Sequence, residues 1–221
     1  MTKIKKLIRK TLEASYLSSK ARISSIMGIV PNPYVIYHVD PAKIDYYQTG
    51  ELSNPIYTYE GRGAFNKFKP MKLSGNWDQQ VTPVKDTIVY RGLKQRFIDD
   101  LPWHETELHP NNWRETHPNI GGRYFHRSLS EFERIAGSRE KLYESMLNRG
   151  YLSQRELNQS FWNELTINIG RDGKLIRNSG AQHRLIFSRL LKLPSIPVRV
   201  LIIHSEWSGN VGELGLKNNS G

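Results

Sequence analysis

The residues best suited to chemistry lie near the C-terminal end of the 221-residue chain. Gly180-Ala181-Gln182-His183-Arg184 leads into the apolar run Leu185-Ile186-Phe187, so a glycine loop opens a helix there. Such a loop aims backbone N–H groups and the positive end of the helix dipole at one spot, which suits an anion. Arg184 in the first turn can clamp phosphate oxygens, and His183 can donate a hydrogen bond or a proton. Arg177, on the strand before the loop, is in reach of the same place.

Phosphoryl transfer to a hydroxyl also needs a carboxylate to take the proton. Glu105, in an aromatic-rich loop after a helix, is the first nominee, followed by Asp78 beside Trp77 and then Asp40. Trp77 and Trp103 suit either stacking on a sugar or base or packing in the core. His38, His109, His117, His126 and His204 lack the paired spacing of a metal site, so no metal ligands are assigned. The chain has no cysteine, which excludes disulfides, thiolate nucleophiles and cysteine-based metal centres.

The elements that position these residues are clearest after Leu165. Thr166 to Ile169 alternates as a strand, Arg171-Asp172-Gly173-Lys174 reads as a hairpin turn, and Leu175-Ile176 starts a second strand. A helix over 183–191 and a buried strand over 196–203 complete the unit, and the stretch after Trp207 reads as a frayed tail. Upstream, Pro31-Asn32-Pro33 leads into a strand at 34–39, a short segment runs from Lys43 to Tyr47, and a candidate strand lies at 55–59. Helical spacing predicts a helix from Thr87 to Phe97. Ser128 and Glu131 form a capping-box pattern for a second helix, and a third runs from Ser138 to Asn148, ending at Gly150.

The net charge of +11 is concentrated in two places. Residues 1–27 hold seven Lys/Arg against Glu13, and 171–203 hold seven against Asp172, whereas 28–170 contain 17 basic and 17 acidic residues. The first cluster belongs to a basic amphipathic helix with Ile4, Leu7, Ile8, Leu12 and Tyr16 on one face. That helix suits either an anionic membrane surface or docking on its own domain. The balanced middle offers no basic stripe for a phosphate backbone, so nucleic acid is a less favoured partner. No apolar stretch is long enough to span a bilayer, and a cytoplasmic protein is expected, peripheral at the inner membrane face if the helix binds lipid.

Four segments in order, Glu140 to Gly150, Ile167 to Gly173, Ser179 to Leu185 and Ile196 to Val200, resemble the ParB/sulfiredoxin-like superfamily. Val39-Asp40-Pro41-Ala42-Lys43-Ile44 is similar to its opening segment, and the match covers about a third of the chain. The middle segments around Gly75-Asn76-Trp77-Asp78 and Pro102-Trp103-His104-Glu105-Thr106 look like a ParB-like branch of unassigned function. The resemblance implies an α+β fold, a small mixed sheet flanked by helices. It would follow an N-terminal helix over 1–30, fill 31–207 as one domain with an insertion at about 48–137, and leave a flexible tail at 208–221.

It also implies a nucleotide, ATP, ADP or CTP with Mg2+, bound through Gly180, Ala181, Gln182, His183 and Arg184, with Arg177 and Gln154 assisting. Likeness to free serine kinases suggests an ATP- or ADP-dependent kinase acting on a small-molecule or glycan hydroxyl, with Glu105, His183 and Asp78 as catalytic candidates. Alternatives are a nucleic-acid binder or nuclease, and a catalytically silent nucleotide-binding module. Without cysteine, sulfinic acid reduction is excluded. Ala181-Gln182-His183-Arg184 replaces the loop of partition proteins, and Asn178 and Ser179 stand where the serine kinases carry an acid, which leaves the base unassigned.

Overall fold

The computed structural model describes residues 19, 31–32, 34–49, 64–112 and 128–218. The basic N-terminal helix and the candidate strand at 55–59 fall outside them, as does most of the excursion at 107–125. The fold is mixed α+β. Its strands are β1 (Tyr37–Val39), β2 (Ile44–Gln48), β3 (Met71–Leu73), β4 (Val81–Pro83), β5 (Thr166–Ile169), β6 (Leu175–Ser179), β7 (Ile196–His204) and β8 (Lys217–Asn218). Three α-helices lie wholly within the described residues: α1 (Ile88–Phe97), α2 (Leu129–Arg149) and α3 (Gln182–Leu190).

The sheet runs β4-β2-β6-β5-β7-β1-β8, with β3 pairing the distal half of β7. β2 lies parallel to β6 and β5 parallel to β7, whereas β5 and β6 form the expected antiparallel hairpin. Both faces of this sheet are covered, which is why β5 and all but one residue of β7 are buried. Adjacent residues of β6 show the two faces directly. Leu175 joins the large core built with Leu93, Phe132, Met146 and Phe187 of the helices. Ile176, pointing the other way, joins a smaller core with Phe65, Trp77 and Ile202.

Local signals explain where the helices begin and end. The Thr87 hydroxyl accepts the Tyr90 N–H at the start of α1, and the Ser128 hydroxyl accepts the Glu131 N–H at the start of α2. Residues 128–149, read as two helices, form one: Gly137 is tolerated inside it, and Ser138 donates its hydroxyl to the Ile135 carbonyl rather than starting a new cap. Gly150 ends it at φ +70°. The stretch after Trp207 is not frayed at 210–218. Asn210 and Glu213 form a capping box, Leu216 is buried, and β8 pairs with β1. No helix among the described residues is long and apolar enough to cross a membrane.

Candidate functional site: a cationic cavity at the start of α3

Strands β2 and β6 run parallel, so Gln48 and Ser179 finish on the same edge of the sheet. There the chain leaves β6 through Gly180 and enters α3. Gly180 has φ +74° and Ala181 has φ +43°, consecutive left-handed residues that turn the chain from strand to helix. A Cβ at Gly180 would meet only ordinary contacts with the Glu164 and Asn163 carbonyls, so backbone conformation is what favours glycine there. Ala181 is the N-cap of α3 and supplies no side-chain cap, and the first turn holds no acid. The positive end of α3 is therefore not balanced by its own sequence.

A cavity of about 500 Å³ opens at this point, lined by Gln48, Ala64, Leu142 and the run from Arg177 to Arg184. Its floor is fixed by amides. Gln48 donates to the Trp77 and Gln80 carbonyls and accepts from Asn168. Asn178 accepts the Phe65 N–H at 2.6 Å and donates to the Phe65 carbonyl at 2.9 Å, pairing like a strand residue with the chain beside Ala64. Arg177 bonds the Gly180 carbonyl through Nε and Nη2 and lies over the Tyr47 ring at 4.9 Å, which braces the loop from the strand side.

The electrostatics are one-sided. Burial, then the positive charges of Arg139 and Arg177, push the His183 imidazole down to about 3. His183 is thus neutral at physiological pH and has no imidazolium proton to give, which narrows the role expected of it to hydrogen bonding. The described lining contains no carboxylate. Arg184 lines the cavity too, but its guanidinium turns back into the fold. Nη2 donates to the Leu152 carbonyl, lies 3.7 Å from Glu164 Oε1, and the group sits 4.0 Å over the Tyr151 ring. Glu164, almost fully buried, also accepts the Gln154 N–H at 2.7 Å and the Tyr151 hydroxyl at 3.4 Å. Burial first, together with that carboxylate, pushes the Tyr151 phenol up, against the pull of Arg184.

The structure brings together Gly180, Ala181, Gln182, His183, Arg184 and Arg177. Gln154 stands behind them, its backbone tied to Glu164. The nominated carboxylates are elsewhere. Asp78 belongs to the other end of the β5–β6 hairpin, where it grips Arg171, whereas Thr166 and Ser179 mark the cavity end. Glu105 is exposed on the turn after α1 beside His104, and Asp40 caps the turn after β1 by accepting the Ala42 N–H. No group of three or more His, Asp or Glu able to hold a metal occurs among the described residues. Sequence reading missed Arg139, Gln48 and Asn178. Arg139 carried a signal, because it falls at helical spacing on the buried face that includes Phe132, Ala136 and Met146.

Compared with protein-family models, curated proteins and solved structures, the chain matches none.

Proposed function

We propose that the chain is a ParB/sulfiredoxin-like protein that binds the phosphates of a nucleotide in the cavity at the start of α3. The observation that carries this reading is the setting of the cavity: the uncapped start of α3, the charges of Arg177 and Arg139 acting on His183, and no carboxylate in the described lining, Arg184 being paired with Glu164 behind it. Its volume is that of a small-ligand site rather than a groove for a nucleic-acid strand. In this reading the α3 N-terminus and the Gly180–Ala181 backbone take phosphate oxygens, Arg177 holds the loop in shape, and neutral His183 donates a hydrogen bond. A magnesium ion would come with the nucleotide, coordinated by its phosphates.

The kinase form of this reading further requires a carboxylate near the acceptor hydroxyl. One observation favours a silent binding module instead: Glu105, Asp78 and Asp40 are all outside the described lining. Thermal unfolding with ATP, ADP or CTP and Mg2+ tests both forms. At a hundredfold excess over Kd, a bound nucleotide adds about 2.7 kcal/mol, raising Tm by about 5–10 °C for a chain of this length. Ala181→Asp separates site from scaffold, since Asp tolerates left-handed φ and favours a helix start while repelling an anion. Its apo Tm should hold or rise while the nucleotide shift disappears. A wild-type chain unmoved by every nucleotide overturns the reading.

A further inference from the structure

The turn before β5 carries a second unusual cluster. Arg199, in the middle of β7, is 1% exposed. Its guanidinium lies 4.5 Å from the centre of the Trp162 ring and 4.9 Å from that of Phe161. Tyr34 stacks on Phe161 at 6.2 Å and meets Trp162 edge-on at 5.9 Å, and Phe68 also meets Trp162 edge-on, at 5.3 Å. Tyr34 is 40% exposed and the other three rings are half-buried, so the group forms a face rather than a sealed core. From Ala64 to Trp77 the chain carries Lys67, Lys69 and Lys72 and no acid. Lys67 sits over the Phe68 ring at 5.2 Å and donates to Asn163 Oδ1, and Lys72 is exposed on β3.

We propose that this aromatic face, Tyr34, Phe68, Phe161 and Trp162, is a stacking platform for single-stranded nucleic acid. Every base presents a π-face, so rings held at fixed angles bind unpaired bases without reading their sequence, and flanking lysines meet the phosphates. The buried Arg199 serves both needs. It fixes the planes of Trp162 and Phe161 from below, and it sets a positive charge in a low-dielectric interior beneath them. The overall charge balance of 28–170 hides this asymmetry, because folding collects the lysines and Phe68 from one acid-free stretch and the other aromatics from two more. Asn163, next to Trp162, places its backbone carbonyl beside Gly180, so the platform and the cationic loop are neighbours. The platform does not depend on nucleotide binding in the cavity.

Fluorescence anisotropy of a labelled twelve-residue oligothymidylate against the full chain tests it, with the melting temperature of each variant checked. Tyr34→Ala should weaken binding about 5–100-fold, as expected for the loss of one base stack, while Tyr34→Phe retains it. Lys69→Glu should lower the slope of log affinity against log salt by about 1. A duplex of the same length should bind at least about tenfold more weakly, since its bases are not free to stack. Absence of binding, equal affinity for duplex, or binding by both Tyr34→Ala and Lys69→Glu indistinguishable from wild type would each overturn the proposal; the last would place the affinity elsewhere on the chain.

Discussion

Strand β6 has an arginine–carboxylate pair beyond each end, and the two are built differently. Before it, Arg171 donates to Asp78 from Nε, Nη2 and its backbone N–H at 2.9 Å, and its Nη2 also reaches the Gly75 carbonyl and Asn76. His204 completes that end, with Nε2 2.8 Å from the Gly75 carbonyl and 4.0 Å from Asp78. After β6, Arg184 is held more loosely, 3.7 Å from Glu164 and stacked on Tyr151, and it borders a cavity. The first guanidinium spends its donors on fixed acceptors and works as a latch. The second meets its carboxylate at longer range, with its guanidinium turned into the fold onto the Leu152 carbonyl, and the residue lines open space on its other side. Pairing alone does not tell structure from function; the remaining capacity of the group does.

The strongest way to break this contrast is to cut the latch. Asp78→Ala leaves Arg171 without its carboxylate partner, and should lower Tm by about 8 °C without altering ligand binding at the far end. Burial alone would push the Asp78 carboxyl up, but hydrogen bonds from the Arg171 side chain and backbone, with the charges of His204 and Arg171, outweigh it. The carboxyl is held below its ordinary 3.8. Its stabilisation is therefore fully present above about pH 4 and is lost as pH falls through the lowered folded value. Wild type should lose more stability than the variant between pH 4 and pH 2 in denaturant titrations. Equal losses would show that the latch carries no load and that the two ends do not differ as described.

A smaller effect sharpens the same comparison through glycine. Gly173 and Gly180 flank β6 with φ +80° and +74°. Alanine at either costs about 1 kcal/mol of backbone strain, or about 3 °C in Tm. At Gly173 the new Cβ would also lie 3.0 Å from Leu214 Cδ2, in a packed region, whereas at Gly180 it would meet only ordinary contacts. Gly173→Ala should therefore melt below Gly180→Ala, while only Gly180→Ala should weaken a ligand in the cavity. The reverse order would mean that the loop, not the hairpin turn, is the tightly built end.

Much of this arrangement was legible in the sequence, for identifiable reasons. The unit from β5 to β7 was readable because alternation, a Gly turn and a helical repeat follow one another without ambiguity. Thr87, Ser128 and Gly150 marked helix ends through their own backbone chemistry. β3 and β4 were not readable: three residues each, they are set by pairing with β7 and β2 rather than by local propensity. For the site, the loop and its cations were visible, but the orientation of Arg184 toward Glu164 was not, because those residues are twenty apart and meet only through the sheet. Asp78 looked catalytic beside Trp77 because sequence shows an acid's neighbours in the chain and not the arginine 93 positions away.

The smallest expected effect concerns Glu105, the carboxylate placed first from sequence. Its side chain is 54% exposed, 3.5 Å from the still more exposed His104, on a turn after α1. The neighbouring Trp103 is fixed separately, by donating to Glu140 at 2.8 Å. Glu105→Gln should change stability by less than about 0.5 kcal/mol, since an exposed pair of this kind contributes little. It should also leave the nucleotide-induced Tm shift intact, because the cavity is lined without it. Phosphorylation assays decide whether that indifference extends to chemistry. If a phosphoryl group is transferred and Glu105→Gln stops the transfer while binding persists, the acceptor reaches this turn and the catalytic region extends beyond the cavity. If transfer continues unchanged, Glu105 is a solvated charge and the chemistry does not depend on this turn.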